Sequence, residues 1–248
     1  MRLFLHELRY QQLIFWRSTE AAFFIFLFPL LLFLLLGSVY SGHIYGVPAS
    51  WALLAGLLGY GCANTAFAGL AIQLVVRREL GILKRLRATP LSAATYIAAM
   101  LVSTLIVFVL QTIALFILGR ILYGTPFPHA WGSLVLAVVF GAAVFAGLGV
   151  ATASLIRSAE GSSAVVNFIL LPMAFLTGSF GPTRHYPKVL RWIGDVLPLK
   201  YFIDIVNAVY LHRQAIWTKG TALGVLAAWG ATGLAVAALK FRWEPREG

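Results

Sequence analysis

Six long apolar runs, at about 21–40, 51–76, 91–119, 131–156, 161–181 and 220–239, leave this chain few folds to adopt. Roughly 20 apolar residues are enough for a helix to cross the hydrocarbon of a bilayer. Within that layer every backbone amide must be paired inside its own segment or by a neighbour. The expected fold is therefore all-α and integral to a membrane, with six transmembrane helices in a single domain covering 1–248. Only 11% of the residues are charged, against about 25% in a soluble domain, which agrees with this class. Pro29 and Pro172 fall inside the first and fifth runs. Prolines there are expected to bend the helices, with neighbouring helices taking up the freed carbonyls.

The net charge of +11 would suggest nucleic acid on a soluble protein. On a membrane chain it reads as retention of cytoplasmic loops beside anionic lipid, with no nucleic-acid partner. With both termini inside, the cytoplasmic pieces hold twelve Lys and Arg and the external pieces seven. Six of those seven lie in the long stretch 182–219. The short loops decide the orientation, since 41–50 has no Lys or Arg and 77–90 has five.

Residues 1–20, "MRLFLHELRYQQLIFWRSTE", gather Phe4, Leu5, Leu8, Phe15 and Trp16 on one helical face and Arg2, His6, Arg9 and Arg17 on another. Gln12 intrudes on the apolar side. This pattern predicts an amphipathic helix lying on the inner leaflet, not a signal peptide. The aromatic stretch 182–219 predicts two short external re-entrant helices at about 186–213, each too short to span.

Polar groups that would converge on chemistry are scarce. The five histidines are scattered singly, and the acids lie at interfaces or in loops rather than in mid-span. Cys62 stands alone in an apolar run, so no disulfide framework or thiolate metal site is expected. No phosphate-binding Gly-x-x-x-x-Gly-Lys-Ser/Thr occurs, so an energy source would have to be another chain. Neutral mid-span groups such as Asn64, Gln73, Gln111 and Asn167 suit interhelical hydrogen bonding, or the lining of a path for an amphiphilic cargo.

The remaining feature is "RRELGILKRLRATP", residues 77–90. Cations at membrane depth cost about 2.5–3.5 kcal/mol each even on a mild scale, so this island is expected outside the hydrocarbon. Wound as a helix over 77–89, it places Leu80, Ile82, Leu83 and Leu86 on one side. Arg77, Arg78, Lys84 and Arg85 lie opposite, and Glu79 interrupts the apolar face. Thr89 and Pro90 read as the cap and first turn of the next span. A short helix tied at both ends to spanning helices is a lever.

"RRELGILKRLRATPLSAATYIAAML" resembles the signature of the ABC type-2 transporter permeases, the membrane subunits of drug, lipid and polysaccharide exporters. "LPMAFLTGSFGPTRHYPKVLRWIGDVLPLKYFIDIV" is similar to their second signature, with a departure at Asn207, where many relatives carry arginine. The resemblance implies a pair of permeases, identical copies by expectation, above two copies of a separate ABC ATPase. The ATPase would bind ATP and Mg, leaving this chain with no cofactor, no metal and no catalytic residue of its own. It implies ATPase coupling through Glu79, Leu80, Gly81, Leu83, Lys84, Arg85 and Arg87. A path would be lined by Phe24, Phe28, Asn64, Gln73, Asn167 and Phe168, and an external gate built from Tyr186, Trp192, Tyr201 and Asp204. The implied setting is a bacterial or archaeal inner membrane, and the implied task is export of a hydrophobic drug-like, lipid or lipid-linked cargo. The residues also leave open a membrane-embedded enzyme acting on lipid, or a non-energised channel or scaffold.

Overall fold

The computed structural model describes residues 2–40, 42–44, 46–86, 88 and 91–241. Helix α1 (Arg2–Arg17) leads to α2 (Thr19–Val39), whose entry is capped by the Ser18 hydroxyl accepting from the Ala21 N–H. A two-residue hairpin follows, β1 (His43–Ile44) paired antiparallel with β2 (Val47–Pro48), a small departure from an all-helical chain. Next come α3 (Ala49–Glu79), the short α4 (Ile82–Leu86), α5 (Ala93–Tyr123) and α6 (Trp131–Leu155). The chain ends with α7 (Ser162–Leu176), α8 (Lys188–Val196), α9 (Pro198–Tyr210) and α10 (Ile216–Lys240).

Five of these, α2, α3, α5, α6 and α10, are long and apolar enough to cross a membrane. The fifth apolar run, expected over 161–181, yields a helix of only 15 residues. It stops at Leu176 because Gly178 takes a left-handed conformation (φ 87°) while the Thr177 and Ser179 N–H groups close onto Met173 and Ala174. That is a glycine-dependent helix stop.

Pro29 shows how an interrupted helix is satisfied at membrane depth. Residues Ala22–Leu27 of α2 are π-wound, and the Phe28 N–H reaches back five residues to Phe23 O. The next donor in that ladder would be Pro29, which has none. Asn64 Nδ2 of α3 donates to Phe24 O at 2.8 Å, and Gln111 Nε2 of α5 donates to Ile25 O at 2.8 Å. Two side-chain amides thus serve carbonyls in the turn before Pro29, one in place of the missing donor, and fasten α2 to α3 and α5.

The core surrounds α3 and includes Leu53, Leu57, Phe108, Phe145 and Val206. Helix α9 enters that core as a wedge. A Cβ at Gly59 of α3 would overlap Ile203, and one at Gly141 of α6 would overlap the Phe202 ring. Gly59 of the second run and Gly141 of the fourth therefore make room for α9. By contrast, Gly220 and Gly224 of the Gly-x-x-x-Gly in α10 face open space, and Gly233 is the residue that meets the Gly147–Leu148 backbone.

Candidate functional site

The island 77–90 is not one helix with a solvated basic face. Helix α3 has 31 residues, so at about 1.5 Å each it runs roughly 46 Å, well beyond a hydrocarbon layer of about 30 Å. It carries Arg77, Arg78 and Glu79 as its last turn. The helix then breaks at Leu80–Gly81, where Gly81 has φ 67°, and α4 restarts at Ile82. Arg87, Thr89 and Pro90 lie outside the described residues.

Arg77 and Arg78, expected outside the hydrocarbon on the side opposite the leucines, are buried in the protein, at 7% and 1% exposure. Arg78 Nη1 donates to Ala153 O at 3.0 Å and Nη2 to Ile156 O at 2.6 Å. These are carbonyls of the last turn of α6 and the residue after it. A guanidinium there offers both hydrogen-bond donors and a full positive charge to the negative end of the helix dipole. Arg77 Nη1 donates to Tyr96 Oη of α5 at 2.6 Å, and its guanidinium carbon lies 5.9 Å from that ring's centre. The two arginines so join the end of α3 to α5 and α6. Burial of a charge is tolerated when such bonds surround it.

Glu79 has an internal partner as well: its Oε1 stands 3.8 Å from Arg78 Nη2. Leu83 is fully buried and pins α4 to the body. Leu80, assigned by spacing to the apolar side, is 60% exposed because the break at Gly81 turns it outward. Leu80, Lys84 and Arg85 form the protruding surface, and Arg85 Nη2 holds the Leu80 carbonyl at 2.8 Å.

Helix α1 approaches the same end. Its apolar-face intruder, Gln12, is an anchor, since Nε2 donates to Ser103 O (3.0 Å) and Oγ (2.8 Å) on α5. Gln11, buried, donates to Glu7 at 2.6 Å and is within hydrogen-bonding reach of Tyr96. A polar chain therefore runs from α1 through Tyr96 to Arg77.

The path candidates are dispersed. Asn64 is buried and committed to α2, and Asn167 bonds back to Ser163 on its own helix. Gln73 and Phe28 are half-buried, whereas Phe24 and Phe168 stand exposed on the outer surfaces of α2 and α7, Phe168 at 81%. Gln111, which spacing gave no special weight, is the most consequential mid-span polar residue. No sequence signal singled it out, since the carbonyl it meets lies 86 residues away.

At the far end of the bundle a cavity of about 850 Å³ is walled by α8, α9, the ends of α3 and α7, and Lys219. Trp192 and Asp204 line it, Tyr201 Oη donates to Asp195 O at 2.6 Å beside it, and Tyr186 is half-buried nearby in the preceding turn. Lys200 forms an ion pair with Asp195. Burial pushes the Asp204 carboxyl above its ordinary range, against the opposing pull of Lys200 and Lys219.

A family model described as "ABC-2 type transporter" matches residues 2–211. The chain is 28% identical over 134 residues to a "Putative transport permease YvfS" of Bacillus subtilis (strain 168), covering 54% of each chain. It is 27% identical over 146 residues to a "Probable multidrug ABC transporter permease YbhR" of Escherichia coli (strain K12), covering 59% of this chain and 40% of that one. It is 24% identical over 174 residues to an "Inner membrane transport permease YhhJ" of the same strain, covering 68% of this chain and 46% of the relative. The chain thus spans about half the length of the curated relatives it matches.

Proposed function

Because the chain belongs to the ABC-2 type transporter family, we propose that it is the membrane-spanning permease subunit of an ATP-driven exporter. A separate ABC ATPase, in two copies, would bind ATP and Mg and supply the energy. The cargo would be a hydrophobic drug-like, lipid or lipid-linked molecule, drawn from the cytoplasm or inner leaflet of a bacterial or archaeal plasma membrane. A second, identical permease would complete the path, with Phe24, Phe28, Gln73, Asn167 and Phe168 facing it and Asn64 bracing α2 beside it. Six crossings, counting the short α7, put both termini on the cytoplasmic side and make α8 and α9 external re-entrant elements. Tyr186, Trp192, Tyr201 and Asp204 then guard the exit.

The observation that carries this reading is the joint at the end of α3. A protruding segment (Leu80, Lys84, Arg85) sits on a helix pinned by Leu83 and is followed back, within three residues, by two buried arginines bonded to α5 and α6. Force applied to α4 by a docked ATPase moves α3, α5 and α6 together, since their ends share charge-assisted hydrogen bonds. A mere lipid anchor has no use for buried cations. Glu79 and Gly81 form the hinge, and Arg87 would extend the docking surface.

The test is cargo-stimulated ATP hydrolysis by the reconstituted complex. Glu79 would meet a cationic or hydrogen-bonding group of the docked ATPase, so Glu79→Gln is expected to leave expression and insertion intact but lower stimulation about tenfold, the loss of one charged hydrogen bond of ~1.5–3 kcal/mol. Wild-type stimulation in that variant would return the segment to the role of an anchor. A fall in thermal stability without loss of stimulation would assign Glu79 to Arg78 alone.

A further inference from the structure

Six of the seven basic residues outside the cytoplasmic pieces crowd into 182–219, where an orientation set by positive charge leaves no reason for them. Four of the six, Lys188, Arg191, Lys200 and Lys219, line the far-end cavity of about 850 Å³. We propose that this cavity binds the anionic, phosphate-bearing headgroup of an amphiphile. The proposal rests on the reading above that this end is external.

The charges in the cavity do not cancel. Asp195 is paired with Lys200, and Asp204 is flanked by Lys200 and Lys219. Lys188 and Arg191 have no ion pair or hydrogen bond to a side chain among the described residues. They lie about one turn apart on α8, on the same face as Asp195, and both line the cavity. Arginine and lysine side by side suit a phosphate, the first as a planar fork and the second as a mobile point charge. The volume lies within the range of small-ligand sites, about 300–1,000 Å³.

The opposite face of α8 identifies the ligand as an amphiphile. Val189, Ile193 and Val196 recur at helical spacing there and are exposed, and Trp192, 70% exposed, stands on the boundary and also lines the cavity. The ridge that suits α8 to lie against a leaflet also offers room for acyl chains beside the cations, which a free anion would not use. A lipid, or a lipid-linked cargo, would set its headgroup among the cations and its chains along the ridge, with the indole at the interface between them.

The experiment uses the purified full chain in neutral detergent, equilibrated with an equal mixture of phosphatidylglycerol and phosphatidylcholine, with retained lipid counted by native mass spectrometry. Phosphatidylglycerol is expected to be retained in preference. The double variant Lys188→Gln with Arg191→Gln should weaken one bound phosphatidylglycerol about tenfold or more, the size of a lost charge-assisted contact. The charge-preserving pair Lys188→Arg with Arg191→Lys should keep it, which separates binding from folding. Undiminished phosphatidylglycerol in the Gln variant, or equal retention of phosphatidylcholine, would overturn the site. Displacement of the lipid by inorganic phosphate at equal concentration would overturn the amphiphile. None of these readings requires ATP, an ATPase or an orientation. A cysteine at Thr183 that labels only from inside, with lipid preference intact, would sink the orientation and spare the site.

Discussion

At the basic end, Arg77 and Arg78 are buried and donate to acceptors on other helices at 2.6–3.0 Å. At the far end, Lys188 and Arg191 are exposed and face a cavity. The difference lies in the partners the fold supplies. Where α6 ends, its last carbonyls need donors, and a guanidinium can enter the protein because they are there. Around the cavity neither Lys188 nor Arg191 makes such a bond among the described residues, and the cations keep their water and their field. Charge near a membrane boundary thus does two jobs. Counting Lys and Arg for orientation adds together residues that are mechanical fasteners and residues that shape a potential.

The sharpest way to break this comparison is to remove one fastener. Arg78→Gln takes two donors from the end of α6 and the neighbouring cation from Glu79. A destabilisation of ~3 kcal/mol or more is expected, as for a buried charge network missing one member. It would be read as a lower unfolding midpoint of the detergent-purified chain. Arg191→Gln on α8 should stay within about 0.5 kcal/mol of the parent, as surface changes do. Equal effects at the two sites would mean that burial at the basic end is not what holds the helices together.

The apolar runs alone made a helical membrane protein legible, and the proline in the first run foretold that neighbours would supply donors. Which neighbours could not be read, because Asn64 and Gln111 lie 40 and 86 residues from the carbonyls they reach. The burial of Arg77 and Arg78 was hidden for the same reason. The carbonyls that accept from Arg78 are 75 and 78 residues away, and a helical wheel drawn over 77–89 contains none of them. Gly81 was visible as a residue but not as a break, since glycine within a basic stretch is also tolerated in a helix. The shortness of α7 followed from the left-handed turn at Gly178, which an unbroken apolar run conceals. The aromatic stretch 182–219 holds two short helices, yet the close fit of Phe202 and Ile203 against Gly141 and Gly59 is a matter of shape that only the packed core displays.

A smaller effect sharpens the comparison at Arg77. Tyr96→Phe removes the acceptor of its 2.6 Å hydrogen bond but keeps the ring beneath the guanidinium. The expected loss is about 1–3 kcal/mol, the cost of leaving a buried donor without its partner. Because Tyr96 is also within reach of Gln11, the same change should loosen α1. Faster backbone hydrogen exchange in residues 2–17 of the variant would show it. Unchanged exchange there would confine Tyr96 to the joint between α3 and α5.

The smallest effect belongs to Arg85, the basic-end cation that resembles those of the far end. It is exposed, and its one side-chain hydrogen bond among the described residues runs from Nη2 to Leu80 O, just past the end of α3. Water can replace that donor at no great cost, whereas nothing can replace Arg78 inside the protein. Arg85→Gln is therefore expected to change the unfolding midpoint by an amount equivalent to at most about 0.5 kcal/mol. In the reconstituted complex it should lower cargo-stimulated hydrolysis by about twofold at most, the scale of an exposed ion pair. That is well short of the effect expected for Glu79→Gln, although the two residues are only six apart. Raising the salt concentration should erase the Arg85 effect and leave those of Arg78 and Tyr96, since solvent ions screen exposed charges far more than buried ones. If Arg85→Gln instead abolished stimulation at every salt concentration, Arg85 would be seated in a partner's groove as firmly as Arg78 is seated against α6. The line between fastener and field would then run through α4 itself.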